Sequence, residues 1–406
     1  MEETRPSSLD SLDCLVPTTV SMEGSGDGPL SGLSFVAKDL FAVEGHTSSF
    51  GHSRWRSTHE PAASTARVIR DLLDAGADLS GMAKMDQLAY SLIGDVGEGR
   101  APLNSADPSV YCGGSSSGSA SAVAGSLVDF ALGTDTAGSI RVPAAVCGIF
   151  GIRPTHGSIS TEGVLPLAPS FDVPGILAGD ANTLAKVFSA ITTQSSGRQT
   201  AHRVVMATDL FDMADRQTAQ VGLEVGETIA GTTGHSLENI DIRAFSDSDV
   251  GAVFARLQGR EIWEHHGDWV DDNFGVLDDD VRARLERCRL LSLDSERQQD
   301  ADLEFMREFR RQFAEVVEPG TVVVLPVVPE HGPKRTWTHQ QSVEFRAGCL
   351  RLTAPAGMVG APQVVWNTRV PLGRHIGIGL MTAPHGDHLL LNLLKDLSNN
   401  LPEIRD

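Results

Sequence analysis

Basic charge is what this chain most lacks. Its 406 residues hold 33 Lys and Arg against 53 Asp and Glu, a formal net charge of −20. A surface that grips nucleic acid needs clustered cations to neutralise phosphates, so that class is disfavoured, as is attraction to anionic membranes. The charge itself reads as a solubility device. No run of about 18 apolar residues occurs, so no segment is expected to span a membrane. The acidic start, Met1-Glu2-Glu3-Thr4-Arg5, leads into no apolar stretch, so no secretory signal is expected. Cysteine is scarce too. Cys14, Cys112, Cys147, Cys288 and Cys349 make an odd count with no CxxC pair, which fits reduced thiols and a cytoplasmic location better than a disulfide framework.

Internal repeats, low-complexity tracts and clear linkers are also missing. What is present is an ordinary globular composition, 41% hydrophobic and 21% charged, long enough to bury a sizeable core. Residues 1–30 are patternless around Gly24-Ser25-Gly26-Asp27-Gly28-Pro29 and are expected to form an N-terminal arm. Residues 31–406 are expected to form one domain. Strand-like runs occur at Leu33–Ala37, Phe130–Leu132, Ile149–Ile152, Arg203–Ala207, Thr321–Val328, Gln363–Trp366 and Ile376–Met381.

Helical patterns cover Ser64–Ala75, with Ser64 as N-cap and Gly76 as the stop, then 116–127 and Val142–Cys147. Others cover 182–192, 214–231, 247–266, 278–317 and 386–399. Alternating strands and helices predict an α/β/α sandwich around a mixed sheet. The charged 278–317 segment reads first as a solvated helix, and otherwise as the lining of an entrance or a subunit contact.

Two glycine- and serine-rich segments carry the chemistry. The first is Tyr111-Cys112-Gly113-Gly114-Ser115-Ser116-Ser117-Gly118-Ser119, and the second runs from Gly133 to Arg141. No Lys follows Gly118 as a phosphate-binding P-loop requires. A GxSxG elbow is matched around Ser116, but the residues before it look like loop where a strand is needed. A Ser-x-x-Lys pair is absent, because Ser34 to Lys38 and Ser80 to Lys84 are each one residue too long. Serines also cap helices and form turns well, so taken alone Ser115 and Ser139 need be nothing more.

The residues resemble the amidase signature family. Its first block, approximately GGSSGGS, is matched by Gly113–Ser119. Its second, roughly LGxDTGGSIRxPAAxCGxxGxKPT, is matched from Leu132 to Thr155. Its lysine strand end is matched by Val36-Ala37-Lys38-Asp39. The likeness extends loosely over residues 30–400 and is strong only from about 110 to 157. The stretch from Gly45 to Ala62, the Ser170-Phe171-Asp172 block and the modest length look most like compact indoleacetamide hydrolases and small aryl-amide amidases.

By that resemblance Ser139 is the nucleophile of an acyl-enzyme. Ser115, after a cis peptide bond, is the proton relay, and Lys38 is the general base, neutral because it is buried. Backbone N–H groups of Thr136, Ala137, Gly138 and Ser139 are expected to hold the oxyanion. Gly94, Asp95, Tyr111, Cys112 and Gly114, with the 165–172 loop, are expected to shape the acyl pocket. Asp135 and Arg141 are expected to brace the turn rather than touch substrate.

Neither metal nor cofactor is implied. His265-His266 lacks zincin spacing, and His385-Gly386-Asp387-His388 reads as a helix start. The expected partners are a small-molecule amide and a second copy in a homodimer. Two departures stand out. Ala137 and Ser117 each replace a family glycine, and Ala137 is either strained at positive φ or merely trims the pocket. Carbamate or urea-type hydrolysis is the enzymatic alternative. A non-catalytic binding module on the same fold is the other, against which Lys38, Ser115 and Ser139 are all retained.

Overall fold

A computed structural model describes residues 11–194, 199–242, 250–370 and 374–400. Among the described residues ten strands form one sheet: β1 Ser34–Lys38, β2 Asp78–Ala83, β3 Phe130–Asp135, β4 Phe150–Arg153, β5 Val173–Ala178, β6 Arg203–Ala207, β7 Leu237–Ile240, β8 Thr321–Pro326, β9 Gln363–Val370 and β10 Arg374–Met381. Their order is β2-β1-β3-β5-β4-β9-β10-β8-β6-β7. β1 is parallel to both β2 and β3, while β3, β5, β4, β9, β10 and β8 alternate in direction, so the sheet is mixed as expected. It closes with β6, parallel to β8 and β7.

The helices are α1 Ser53–Thr58, α2 Arg67–Asp74, α3 Ser117–Ala124, α4 Arg141–Cys147, α5 Ala181–Ile191, α6 Thr208–Phe211, α7 Arg216–Thr233, α8 Val250–Asn273, α9 Asp279–Ser292, α10 Glu296–Val316, α11 His339–Val359 and α12 Asp387–Asn400. Strand alternation sends neighbouring side chains into different layers. Phe35, Ala37, Leu132 and Ile176 pack with Ile69 of α2, Phe188 of α5 and Leu390 of α12. Val36, Ala131 and Leu177 pack with Ala120 of α3 and Val142 of α4 on the opposite face. A third packed group joins Val323 and Leu325 of β8 to Phe254 of α8, Phe309 of α10 and Leu352 of α11. This is the α/β/α sandwich that the alternation predicted.

Several boundaries differ from the sequence reading. α2 starts at Arg67 after Ala66, not at Ser64, and Ala66 makes no side-chain cap bond. The 278–317 pattern is two helices, because Leu293–Ser295 break it and Ser295 caps α10 through Gln298 N. Of the 247–266 pattern, residues 247–249 lie outside the described residues, and α8 runs on to Asn273. β2, β5, β7, α1, α6 and α11 carried no expectation. α11 contains Pro355, yet it ends at Gly360 with a left-handed cap, and Leu352 through Met358 are buried. Of the expected arm, residues 1–10 lie outside the described residues. From Leu15 the chain lies along β2, with Val16 N donating to Met82 O at 2.8 Å and Met22 pairing with Leu79.

Candidate active site

Ala37 of β1 lies level with Leu132 of β3, and the two strands run parallel. Their carboxyl ends therefore open at one place. Lys38 closes β1 there, and the Thr136–Ile140 turn leaves β3 beside it before α4 begins. Ser115 enters from the loop ahead of α3, where Ser119 Oγ donates to Leu132 O at 2.9 Å and ties that helix to β3. The Gly114–Ser115 peptide bond is cis.

Three side chains then stand in a line. Lys38 Nζ donates to Ser115 Oγ at 2.8 Å, and Ser115 Oγ donates to Ser139 Oγ at 3.0 Å. Lys38 also donates to Thr134 Oγ1 at 2.9 Å. Lys38 and Ser115 are fully buried, and Ser139 is 4% exposed. Burial lowers the Lys38 ammonium to about 7, against the opposing pull of Asp86, Asp172 and Asp135. A neutral Nζ can accept where the ammonium only donates, so the same line can run in reverse, from Ser139 through Ser115 to Lys38.

The turn that presents Ser139 is held by a buried charge network. Asp135 accepts from Gly138 N at 2.9 Å, Ile140 N at 3.2 Å, Arg141 Nε at 2.9 Å and Arg153 at 3.2 Å. Burial alone would raise its carboxyl. Arg141, by charge and hydrogen bond, and then Arg153 outweigh that and hold it well below the usual carboxylate range. Arg141 in turn donates to Thr353 O and to Gln363 Oε1. Thr353 of α11 donates to Ala137 O at 2.7 Å. Gly138 has φ +119°, a conformation open to glycine, and a Cβ there would press on Thr353 at 3.1 Å.

A model of the Amidase protein family matches residues 18–230, more than half of the chain. The chain belongs to the amidase family. "Amidase 1" of Oryza sativa subsp. japonica is 34% identical over 92% of this chain and 91% of that protein. "Translocon at the outer membrane of chloroplasts 64" of Pisum sativum is 32% identical over 97% of this chain and 70% of that one. A solved structure described as a crystal structure of amidase overlays with TM-score 0.79 at 25% identity, covering 91% of this chain and 85% of that one. The enzyme is an amide hydrolase by this membership, while the indoleacetamide subtype is not singled out. Among the described residues no helix is long and apolar enough to cross a membrane.

Within this amidase, the expected Lys38, Ser115 and Ser139 are brought together, and Asp135 and Arg141 brace the turn. One expected oxyanion donor is otherwise engaged: Gly138 N–H is taken up by Asp135. The N–H groups of Thr136, Ala137 and Ser139 donate to no protein acceptor among the described residues. Ala137 is not among the described residues with positive φ, and its methyl joins the packed group of Phe171 and Phe254. Replacement by glycine, Ala137→Gly, is therefore expected to leave kcat/KM within about tenfold while lowering stability by about 0.4–1 kcal/mol. Amide kinetics alongside urea unfolding check both halves.

The expected acyl-pocket residues divide. Asp95 and Tyr111 line a cavity of about 530 Å³ that Asp86 also lines. Gly94 and Gly114 surround that carboxyl. Gly94 N donates to Asp86 Oδ2 at 3.0 Å, and any Cβ on Gly114 would collide with the same oxygen. Cys112 is a correction. It is fully buried in the α3–α4 layer, with Sγ donating to Pro102 O at 3.5 Å, because the chain turns its side chain into the core. The 165–172 loop is closed by Asp172, which accepts from Leu167 N at 2.7 Å and from Thr136 Oγ1.

Asp86 is the principal residue that sequence reasoning missed. It accepts from Ser117 Oγ at 3.2 Å, and its own N–H donates to Ser115 O at 3.2 Å. Burial and then the Asp95 charge raise its carboxyl to about 7, against Gly94 N–H, Lys38 and Ser117. The available signal was an aspartate inside the otherwise largely apolar Met82–Ile93 stretch. The histidine motifs are structural. His266 Nε2 donates to Pro166 O at 2.7 Å, and burial lowers its imidazole to about 4. Asp387 opens α12, accepting from Thr155 N at 2.8 Å and from Gln194 at 2.8 Å.

Proposed function

We propose that Ser139 forms the acyl-enzyme, Ser115 relays the proton and Lys38 is the base in hydrolysis of small linear carboxamides. The unbroken 2.8 Å and 3.0 Å contacts from Lys38 through Ser115 to Ser139 carry this reading. With Lys38 neutral, Ser139 Oγ attacks the amide carbon, its proton passes to Ser115, and the Ser115 proton passes to Nζ. The oxyanion is received by N–H groups of Thr136, Ala137 and Ser139, each such donor contributing about 2.7–4 kcal/mol in the transition state. The Lys38 proton returns through Ser115 to the leaving nitrogen. Water then attacks the acyl carbon, its proton passing through Ser115 to Lys38; the acyl–Oγ bond breaks, that proton returns through Ser115 to Ser139 Oγ, and the carboxylic acid leaves.

A fluorophosphonate probe tests the assignment. It should label Ser139 in the folded protein, and label should be lost in Ser139→Ala; absence of label on Ser139 with the fold intact sinks it. A panel of alkyl and aryl amides with matched carbamates and ureas reads the substrate class directly. We place the enzyme in the cytoplasm, since Cys112, Cys147, Cys288 and Cys349 are buried free thiols suited to a reducing compartment. A homodimer is the proposed solution state, read by light scattering.

A further inference from the structure

Asp278, Asp279 and Asp280, at the start of the charged 278–317 segment, line the cavity that Asp86 also lines. Five aspartates face that cavity against two arginines and one histidine, His339. Arg335 donates to Pro102 O at 2.9 Å and lies over the Tyr111 ring. Arg284 lies over Tyr90, 3.9 Å from Asp280, and its charge acts on Asp280 and Asp95 alike, while its Nε is buried without a hydrogen-bond partner. Asp280 is further paired with His339 at 2.7 Å.

Asp95 and Asp278 make no salt bridge among the described residues. Asp278 stands at the N-cap of α9 yet makes no side-chain cap bond, so its carboxylate is not spent on the helix. Beside it, Gln87 is 2% exposed and accepts from Asp278 N through Oε1 at 3.2 Å. Its Nε2 is buried with no acceptor. Gln87 Nε2 and Asp278 Oδ2 converge over Gly97, where a Cβ would collide with both.

A buried amide donor without an acceptor seeks an oxygen, and unpaired carboxylates seek a cation. A concave wall on which acidic groups outnumber basic ones favours ligands of positive charge. Asp86, which lines the same cavity, is bonded to Gly94 and Ser117 and abuts Gly114, one residue from Ser115. We propose that this cavity binds the acyl portion of a cationic carboxamide, with an ammonium between Asp95 and Asp278 and a chain carbonyl oxygen at Gln87 Nε2. The inference rests on the hydrolase reading above and narrows its substrate class away from purely hydrocarbon or aryl amides.

Three amides of matched shape test it. Glycylglycinamide carries the ammonium and an inner carbonyl, propionylglycinamide replaces the ammonium with a methyl group, and malonylglycinamide replaces it with a carboxylate. At low ionic strength kcat/KM for the cation should exceed that for the methyl isostere by roughly tenfold or more, with the anion poorest. The ratio should shrink as salt is added, and in the Asp95→Asn, Asp278→Asn double variant it should fall toward one. Equal turnover, or preference for the neutral or anionic amide, overturns the inference. So does no turnover of any of the three by protein whose Ser139 takes the fluorophosphonate. If Ser139 takes no label, the hydrolase reading fails, and this one with it. The salt dependence of the unaltered protein decides the matter even if the double variant does not fold.

Discussion

Lys38→Ala is expected to lower kcat/KM for any amide substrate by on the order of 10⁴-fold, with circular dichroism unchanged. Nothing else along the relay can take its place: Thr134, the other group bonded to Nζ, carries a hydroxyl that is no base near neutral pH. The unaltered enzyme should show kcat/KM rising with pH through about 7 and levelling above it. The direction follows from the chemistry. Below that pH the ammonium can only donate to Ser115, and above it Nζ is free to accept. Asp86, raised to about 7 as well and acting on Lys38 through its charge, titrates in the same window, so the limb carries contributions from both groups. A pH-independent rate between 6 and 8, or wild-type turnover by the alanine variant, would refute the assignment of Lys38.

Asp135→Ala is expected to be the most damaging substitution for stability, by about 3–5 kcal/mol in urea unfolding. The loss is not that of one bond. Arg141 and Arg153 are both wholly buried, and the substitution strands their charges. It also frees the Gly138 and Ile140 N–H groups, so the turn that carries Ser139 loses its anchor. Because the Asp135 carboxyl is held below its ordinary range, its contribution is complete at neutral pH. It is lost only as pH falls through that depressed value. An Asp135→Ala protein with unchanged unfolding midpoint would show that the arginines find other partners.

Legibility in the sequence followed how local each cause was. The reacting line could be read because its residues stand in two short motifs and one strand end. β1, β6 and α7 could be read because their apolar periodicity is confined to one segment. α11 could not. It is buried nearly all round from Leu352 to Met358 and carries Pro355, so it offers neither an amphipathic stripe nor a permissive composition. β5, with Pro174 and Gly175, likewise reads as a loop until β3 and β4 pair with it on both sides. Asp86 and Thr353 escaped for a different reason. Each matters through atoms supplied by segments far away in the chain, Gly94 and Ser117 for one, Ala137 for the other.

The two ends of the sheet bear on how this protein behaves when crowded. An open strand edge is a template on which another chain can grow, and the amino-terminal segment occupies that position on β2 through Val16 and Met22. At the far side β7 is only four residues long and offers Glu238, paired with Arg203 at 2.9 Å, where a growing strand would need apolar contact. Residues that take no part in the chemistry thereby cover the sheet edge, and shortening the chain up to β1 would leave the enzyme with an adhesive flank.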